Sequence, residues 1–135
     1  MLMTRASEYA LLSLIHIARS DIPLGADSLA TELGISKSYL AKILQSMARK
    51  SILNSFKGVK GGFSLAKEPT DISMSEILYA AEGKEPTVFD CSPSLEDCPS
   101  GKATTCKIWP MLNSLQGKID DFLEGVTLQD IMQEK

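Results

Sequence analysis

The chain of 135 residues holds one histidine, and none of its three cysteines stands close to another. The lone histidine has no nucleophile signature beside it, and there is no glycine-rich phosphate loop or dinucleotide fingerprint, so an enzyme is not expected. The cysteines are spaced C-x6-C-x7-C, at Cys91, Cys98 and Cys106, without the tight C-x2-C pairs of most zinc sites. Three cysteines in a chain of this kind argue for thiols or metal ligation, not a disulfide framework. No run of about 18 apolar residues exists, so no transmembrane helix is expected. Residues 9–18, YALLSLIHIA, have the length of a signal-peptide core. Only Arg5 and Glu8 are charged before them and no small-residue cleavage site follows cleanly, which favours a buried first helix and a cytoplasmic protein. Internal repeats and low-complexity tracts are missing too. The length suits one domain with a real core.

Acidic residues are absent from one long stretch. Ser36 to Lys67 carries Lys37, Lys42, Arg49, Lys50, Lys57, Lys60 and Lys67 and no Asp or Glu. The segment is +7 in a chain of net charge −3, so the remainder is −10. A polyanion would be drawn to one face of an otherwise acidic protein. A solvated basic surface, or a protein-interaction module, is the plainer reading of such a charge run.

The local pattern around this charge favours DNA. Two short helices are expected, Asp27 to Leu33 and Lys37 to Arg49, with Gly34 suited to a left-handed helix end and Ser36 to an N-cap. Leu40, Ile43, Leu44 and Met47 give the second helix one apolar face. Its other face carries Lys37, Ser38, Tyr39, Lys42, Gln45 and Ser46. Ile52 to Phe56 and Phe63 to Ala66 read as strands joined by the basic loop Lys57-Gly58-Val59-Lys60-Gly61-Gly62. Helix, turn, helix and basic hairpin make a winged helix-turn-helix, with the second helix in the major groove and the wing on backbone or minor groove. Ser36, Lys37, Ser38, Tyr39, Lys42, Lys57, Lys60 and Gly61 are the candidate contacts to double-stranded DNA. The fold class is mainly α with a small β-hairpin wing and a long C-terminal dimerisation helix.

Around this unit, the first helix should run from about Arg5 to Ser20, apolar on most of its circumference and hence buried. Ile22 to Gly25 reads as a connector. Ser73-Met74-Ser75-Glu76 is a capping box opening a helix to Glu82, closed by Gly83. From Lys84 to Thr105 there is no clear period, which in a compact domain marks a functional or disordered segment. From about Lys107 to Glu124, Ile108, Met111, Leu112, Leu115, Ile119 and Phe122 form an apolar stripe, read as a homodimer seam; packing within one subunit is the alternative. Gly117 lies within this helix, where a close helix–helix approach would explain it, and Thr127 caps a short terminal helix, Leu128 to Gln133. The chain thus divides into a DNA-binding part (1–83), a cysteine loop (84–106) and a dimerisation helix with its tail (107–135).

The wing, Ser55-Phe56-Lys57-Gly58-Val59-Lys60-Gly61-Gly62-Phe63-Ser64-Leu65-Ala66, closely resembles that of the IscR/NsrR-type family of bacterial repressors. Tyr39-Leu40-Ala41-Lys42-Ile43-Leu44 is similar to the family's recognition helix, Ala6-Ser7-Glu8-Tyr9-Ala10-Leu11 to its N-terminal signature, and Ile77 to Gly83 to its following helix. The resemblance covers essentially the whole chain and is most specific at the wing, where the family often has Arg in place of Lys57. It implies a homodimeric regulator, typically a repressor, reading a pseudo-palindromic operator. Many members hold an iron–sulfur cluster on three cysteines and others hold none. The resemblance therefore implies a cluster on Cys91, Cys98 and Cys106, two-iron–two-sulfur in preference to four-iron–four-sulfur and open to loss on isolation, that senses iron–sulfur status, redox state or nitric oxide. The spacing here is longer than the family's common one. No His follows Cys106, unlike in IscR-like members; Glu8 matches the acidic residue that, in NsrR-like members, completes the site from the partner subunit. His16 is read as a core or interface residue, about 12 Å further along the helix at 1.5 Å per residue. Direct thiol sensing or zinc on the same scaffold, without a cluster, is the alternative; a small-molecule effector is a further candidate partner.

Overall fold

The computed structural model describes residues 2–89, 92–93 and 106–133. Helix α1 spans Arg5–Ala18, α2 Ala26–Leu33 and α3 Lys37–Arg49; strands β1 (Leu53–Phe56) and β2 (Gly62–Leu65) form the hairpin. A 3-10 turn at Pro69–Asp71 leads into α4 (Met74–Glu82), and α5 (Trp109–Gly125) and α6 (Leu128–Gln133) complete the chain. No helix among the described residues is long and apolar enough to cross a membrane.

The helix-turn-helix forms where the local signals agree. Gly34 ends α2 in the left-handed region at φ 71°, and the Ser36 hydroxyl accepts the Tyr39 N–H at 3.2 Å to cap α3. Leu40, Ile43, Leu44 and Met47 are all buried, as their spacing predicts. With Ala10, Leu14 and Ile17 of α1 and Ile77 of α4 they form the core. Burial of each Leu or Ile contributes about 1.5–3 kcal/mol. Helix α1 ends two residues before the expected Ser20, because Ser20 turns to bond the Ile22 carbonyl through its hydroxyl.

The hairpin pairs Leu53 with Leu65 and Phe56 with Gly62. The expected connector at Ile22–Gly25 does more than connect. Leu24 exchanges both backbone hydrogen bonds with Phe63, at 3.0 and 2.8 Å, and so adds a short third edge to the wing. Gly62 permits this approach: its φ is +141°, and a Cβ there would lie 2.6 Å from the Leu24 carbonyl.

Ser73 caps α4 by accepting the Glu76 N–H, and Gly83 ends it at φ 77°. The C-terminal helix folds back onto this start. Met74 N–H donates to the Val126 carbonyl and Leu128 N–H to the Ile72 carbonyl, both at 2.8 Å, and Leu128 is fully buried. Thr127 and Asp130 cap α6 reciprocally.

Helix α5 packs on α4. Part of its apolar stripe stays outside the subunit's core: Ile108 is 59%, Met111 56%, Leu115 39% and Phe122 64% exposed, while Leu112 and Ile119 are half-buried. Gly117 is exposed, and a Cβ there would meet no atom of the described residues within 4 Å. The helix extends one residue past the expected Glu124 to include Gly125.

Candidate nucleic-acid interface and cysteine segment

Helix α3 turns its apolar side inward and leaves Lys37, Ser38, Tyr39, Lys42 and Gln45 exposed. Its N-terminus carries free N–H groups and a partial positive charge, which favour a phosphate. Lys37 lies 3.1 Å from Asp27 of α2 in an exposed pair. Such a pair is worth about 0–1 kcal/mol and yields readily to a phosphate. The Tyr39 ring stands edge-on to Tyr9 of α1, centroids 6.0 Å apart, which fixes its position near the N-terminal end of the helix. Ser46, expected on the exposed face, instead donates to the Ala80 carbonyl of α4 at 2.6 Å.

Lys57, Val59 and Lys60 are exposed at the tip of the hairpin. Gly58 turns at φ +99°, and Gly61 N–H bonds the Gly58 carbonyl at 3.0 Å. Gly61 is half-buried, and a Cβ there would fall 2.4 Å from the Phe56 carbonyl oxygen. Its place is structural first: it lets the turn close and present the two lysines. Two other basic residues of the acid-free stretch are committed to α4. Lys67 pairs with Glu76 at 2.8 Å, and the Lys50 ammonium sits 4.7 Å above the Tyr79 ring.

The last turn of α4 is a joint. Besides Ser46 of α3, it meets the start of α1 through Glu82, whose carboxylate accepts hydroxyl hydrogen bonds from both Thr4 and Ser7. Burial opposes the charged form of Glu82, but the Ser7 and Thr4 hydroxyls, with backbone bonds at both residues, outweigh it and hold the carboxyl below its ordinary range. A carboxyl depressed in the folded state contributes stability above its unfolded value of 4.5, lost as pH falls through the folded one. Glu82→Gln is therefore expected to lower the melting temperature at pH 7. The gap to the unsubstituted protein should narrow below about pH 4 in melts across pH.

Glu8 is exposed on the first turn of α1, 3.0 Å from Arg5. His16 is half-buried near the other end of the same helix. Cys106 is half-buried, three residues before α5 begins, while Cys91 and Cys98 lie outside the described residues. Among the described residues no three His, Cys, Asp or Glu side chains converge on a metal position. The residues bordering the cysteine segment are well held. Asn113 donates to the carbonyls of Ser92 (2.8 Å) and Pro93 (3.2 Å), and the buried Gln116 bonds Pro86, Val88 and Ser92. Residues 92–93 are thus tied to the N-terminal half of α5, and Cys106 precedes that helix by three residues. Asn113 and Gln116 were missed in sequence. Their i, i+3 spacing opposite an apolar stripe is the only signal, and it reads equally as a solvated face.

An exposed, acid-free recognition helix beside a basic wing defines a winged-helix DNA-binding regulator. The family model described as Rrf2, iron-dependent transcriptional regulator, matches residues 3–134. The chain belongs to the Rrf2 family of transcriptional regulators. It is 34% identical over 131 residues to YffB of Lactococcus lactis, provisionally named an HTH-type transcriptional regulator, covering 95% of this chain and 83% of that one. It is 27% identical to the HTH-type transcriptional regulator IscR of Vibrio atlanticus, covering 99% and 76%. The oxidised form of Staphylococcus aureus CymR superposes with a TM-score of 0.73 at 21% identity, covering 100% and 98%. The IscR relative agrees with the resemblance read from the wing and recognition helix.

Proposed function

We propose that two copies of this chain join through α5 into a cytoplasmic homodimer that represses transcription from a pseudo-palindromic operator. The observation that carries this reading is the pairing, in one chain, of an exposed basic α3–wing face with an exposed apolar stripe on α5. Ser38, Tyr39 and Lys42 meet base edges in the major groove. Ser36 and Lys37 meet phosphate at the helix N-terminus, and Lys57 and Lys60, presented by Gly61, meet phosphate or the minor groove. Lys57 lacks the planar fork of an Arg, so its preference for a narrow minor groove is softer.

Cys91, Cys98 and Cys106 hold an iron–sulfur cluster, with the partner's Glu8 as fourth ligand. A bound cluster supplies a centre whose redox state and ligation respond to iron, oxidants or nitric oxide. The alternative, thiol oxidation without a cluster, draws on the CymR superposition: that protein has an oxidised form on this fold. Visible absorbance and iron content after anaerobic purification decide between them.

The DNA reading is tested at the wing. Lys60→Ala is expected to weaken binding to all duplex sequences alike. It should also flatten the dependence of log K on log salt by about one unit for each phosphate left unneutralised. Anisotropy titrations at several salt concentrations read both effects. An unchanged slope would remove the wing from the interface.

A further inference from the structure

Helix α5 has two working faces. Opposite the exposed apolar stripe lies a polar row, Asn113, Gln116 and Asp120, at i, i+3 and i+7. Gln116 is only 4% exposed, yet every hydrogen-bonding position of its amide is used. Its Oε1 accepts the Val88 N–H at 2.8 Å and the Ser92 hydroxyl at 2.6 Å. Its Nε2 donates to the Pro86 carbonyl at 3.1 Å and to Asp120 Oδ1 at 2.7 Å. Ser92 is itself fully buried and closes back on Phe89, accepting its N–H at 3.2 Å, while its single hydroxyl proton is shared between Gln116 Oε1 and the Phe89 carbonyl at 2.8 Å.

A fully satisfied buried amide specifies one arrangement sharply, because losing any partner leaves a buried polar group unpaired. Three of the four bonds run to residues 86–92, beside the cysteines in sequence and tied to α4 through Gly83. The fourth stays on α5. No apolar side chain could hold backbone N–H, backbone carbonyl and hydroxyl together in this way.

We propose that Gln116 is the positioning residue that couples the cysteine segment to the dimer helix. Chemistry at the cysteines reaches α5, and so the relative placement of the two recognition helices, chiefly through this buried amide, with Asn113 as a second tie to Ser92 and Pro93. The proposal rests on the reading that the cysteines sense. It adds that the route runs along α5, on the face away from the seam.

The test uses the full-length protein, reduced and anaerobic, before and after alkylation of its cysteines with N-ethylmaleimide. Amide hydrogen exchange across residues 111–122 and operator affinity are both measured, for the unsubstituted chain, Gln116→Ala and Ser92→Ala. Ser92→Ala removes one hydroxyl and keeps the informative comparison if Gln116→Ala folds poorly. Alkylation is expected to speed exchange in α5 of the unsubstituted chain, and to change operator affinity within the range of about 5–150-fold usual for coupled sites. In Gln116→Ala the α5 response and the affinity ratio should both fall markedly; in Ser92→Ala both should shrink by less. An α5 that ignores alkylation in the unsubstituted chain, or responds equally in all three, overturns the coupling. An α5 that responds while operator affinity does not leaves the coupling standing and removes the sensing reading instead.

Discussion

Leu115→Asp is expected to convert the protein to a monomer and to lower specific operator affinity by two orders of magnitude or more, on the order of 3 kcal/mol. Leu115 lies mid-stripe on α5, 39% exposed in the single subunit, between Met111 and Phe122, which are more exposed still. Large apolar side chains in a continuous row along a helix mark a contact surface, not scattered exposure. In a two-fold dimer each substitution enters the seam twice, and a carboxylate without a partner is strongly disfavoured where water is excluded. The DNA effect follows because each recognition helix reads one half-site, and a monomer loses the second. Sedimentation at micromolar concentration reads the assembly, and anisotropy on a specific and a scrambled duplex reads the affinity. A wild-type chain that sediments as a monomer and still discriminates the two duplexes would contradict the seam. The core of the winged helix lies on other elements, so the thermal unfolding of the variant's own subunit is expected to keep its cooperativity.

How much of this was legible in the chain depends on where the information sits. Helix α3 was readable to the residue because its cap, Ser36, its apolar period and its end all lie within it. The same holds for α4, between Ser73 and Gly83. The wing was legible because glycine and lysine at its turn have few other uses. What was not legible depends on partners distant in sequence. Nothing in Ile22–Gly25 indicates that Leu24 will pair with Phe63, far along the chain; the reason lies in Gly62, whose missing Cβ makes room. Ser46 looks like one more polar residue on an exposed face until the Ala80 carbonyl is beside it. Gln116 is the clearest case. A glutamine on an amphipathic helix reads as solvent-facing, and the return of Pro86, Val88 and Ser92 against it goes with its burial.

The largest effects are expected at the sensor ligands, where Cys98→Ala should abolish cluster binding while Glu8→Ala retains iron with an altered visible spectrum and altered operator affinity. The two differ in chemistry. A thiolate is a strong ligand to iron–sulfide, and removing it takes away one of only three soft donors in the segment. A carboxylate is a poor match for soft iron–sulfide and the readiest to be displaced. Glu8 is exposed on α1 and, among the described residues, its carboxylate meets only the surface pair with Arg5, so little opposes its reorientation. The consequence for DNA also has a path in the structure. Glu8 is followed by Tyr9, whose ring stands against Tyr39 at the start of the recognition helix. The same turn of α1 is tied through Thr4 and Ser7 to Glu82 on α4. A movement of this turn as Glu8 is engaged or released is therefore delivered to α3 from one side and to the joint with the cysteine segment from the other, a two-state link between separate sites. Anaerobic reconstitution, iron analysis, absorbance and circular dichroism in the visible range, and operator titrations on the same samples measure each part. Should Glu8→Ala match the unsubstituted protein in both spectrum and affinity, the cross-subunit ligand is another residue. If alanine at Cys91, Cys98 and Cys106 together changes neither iron content nor regulation, the cysteine segment is not the sensor.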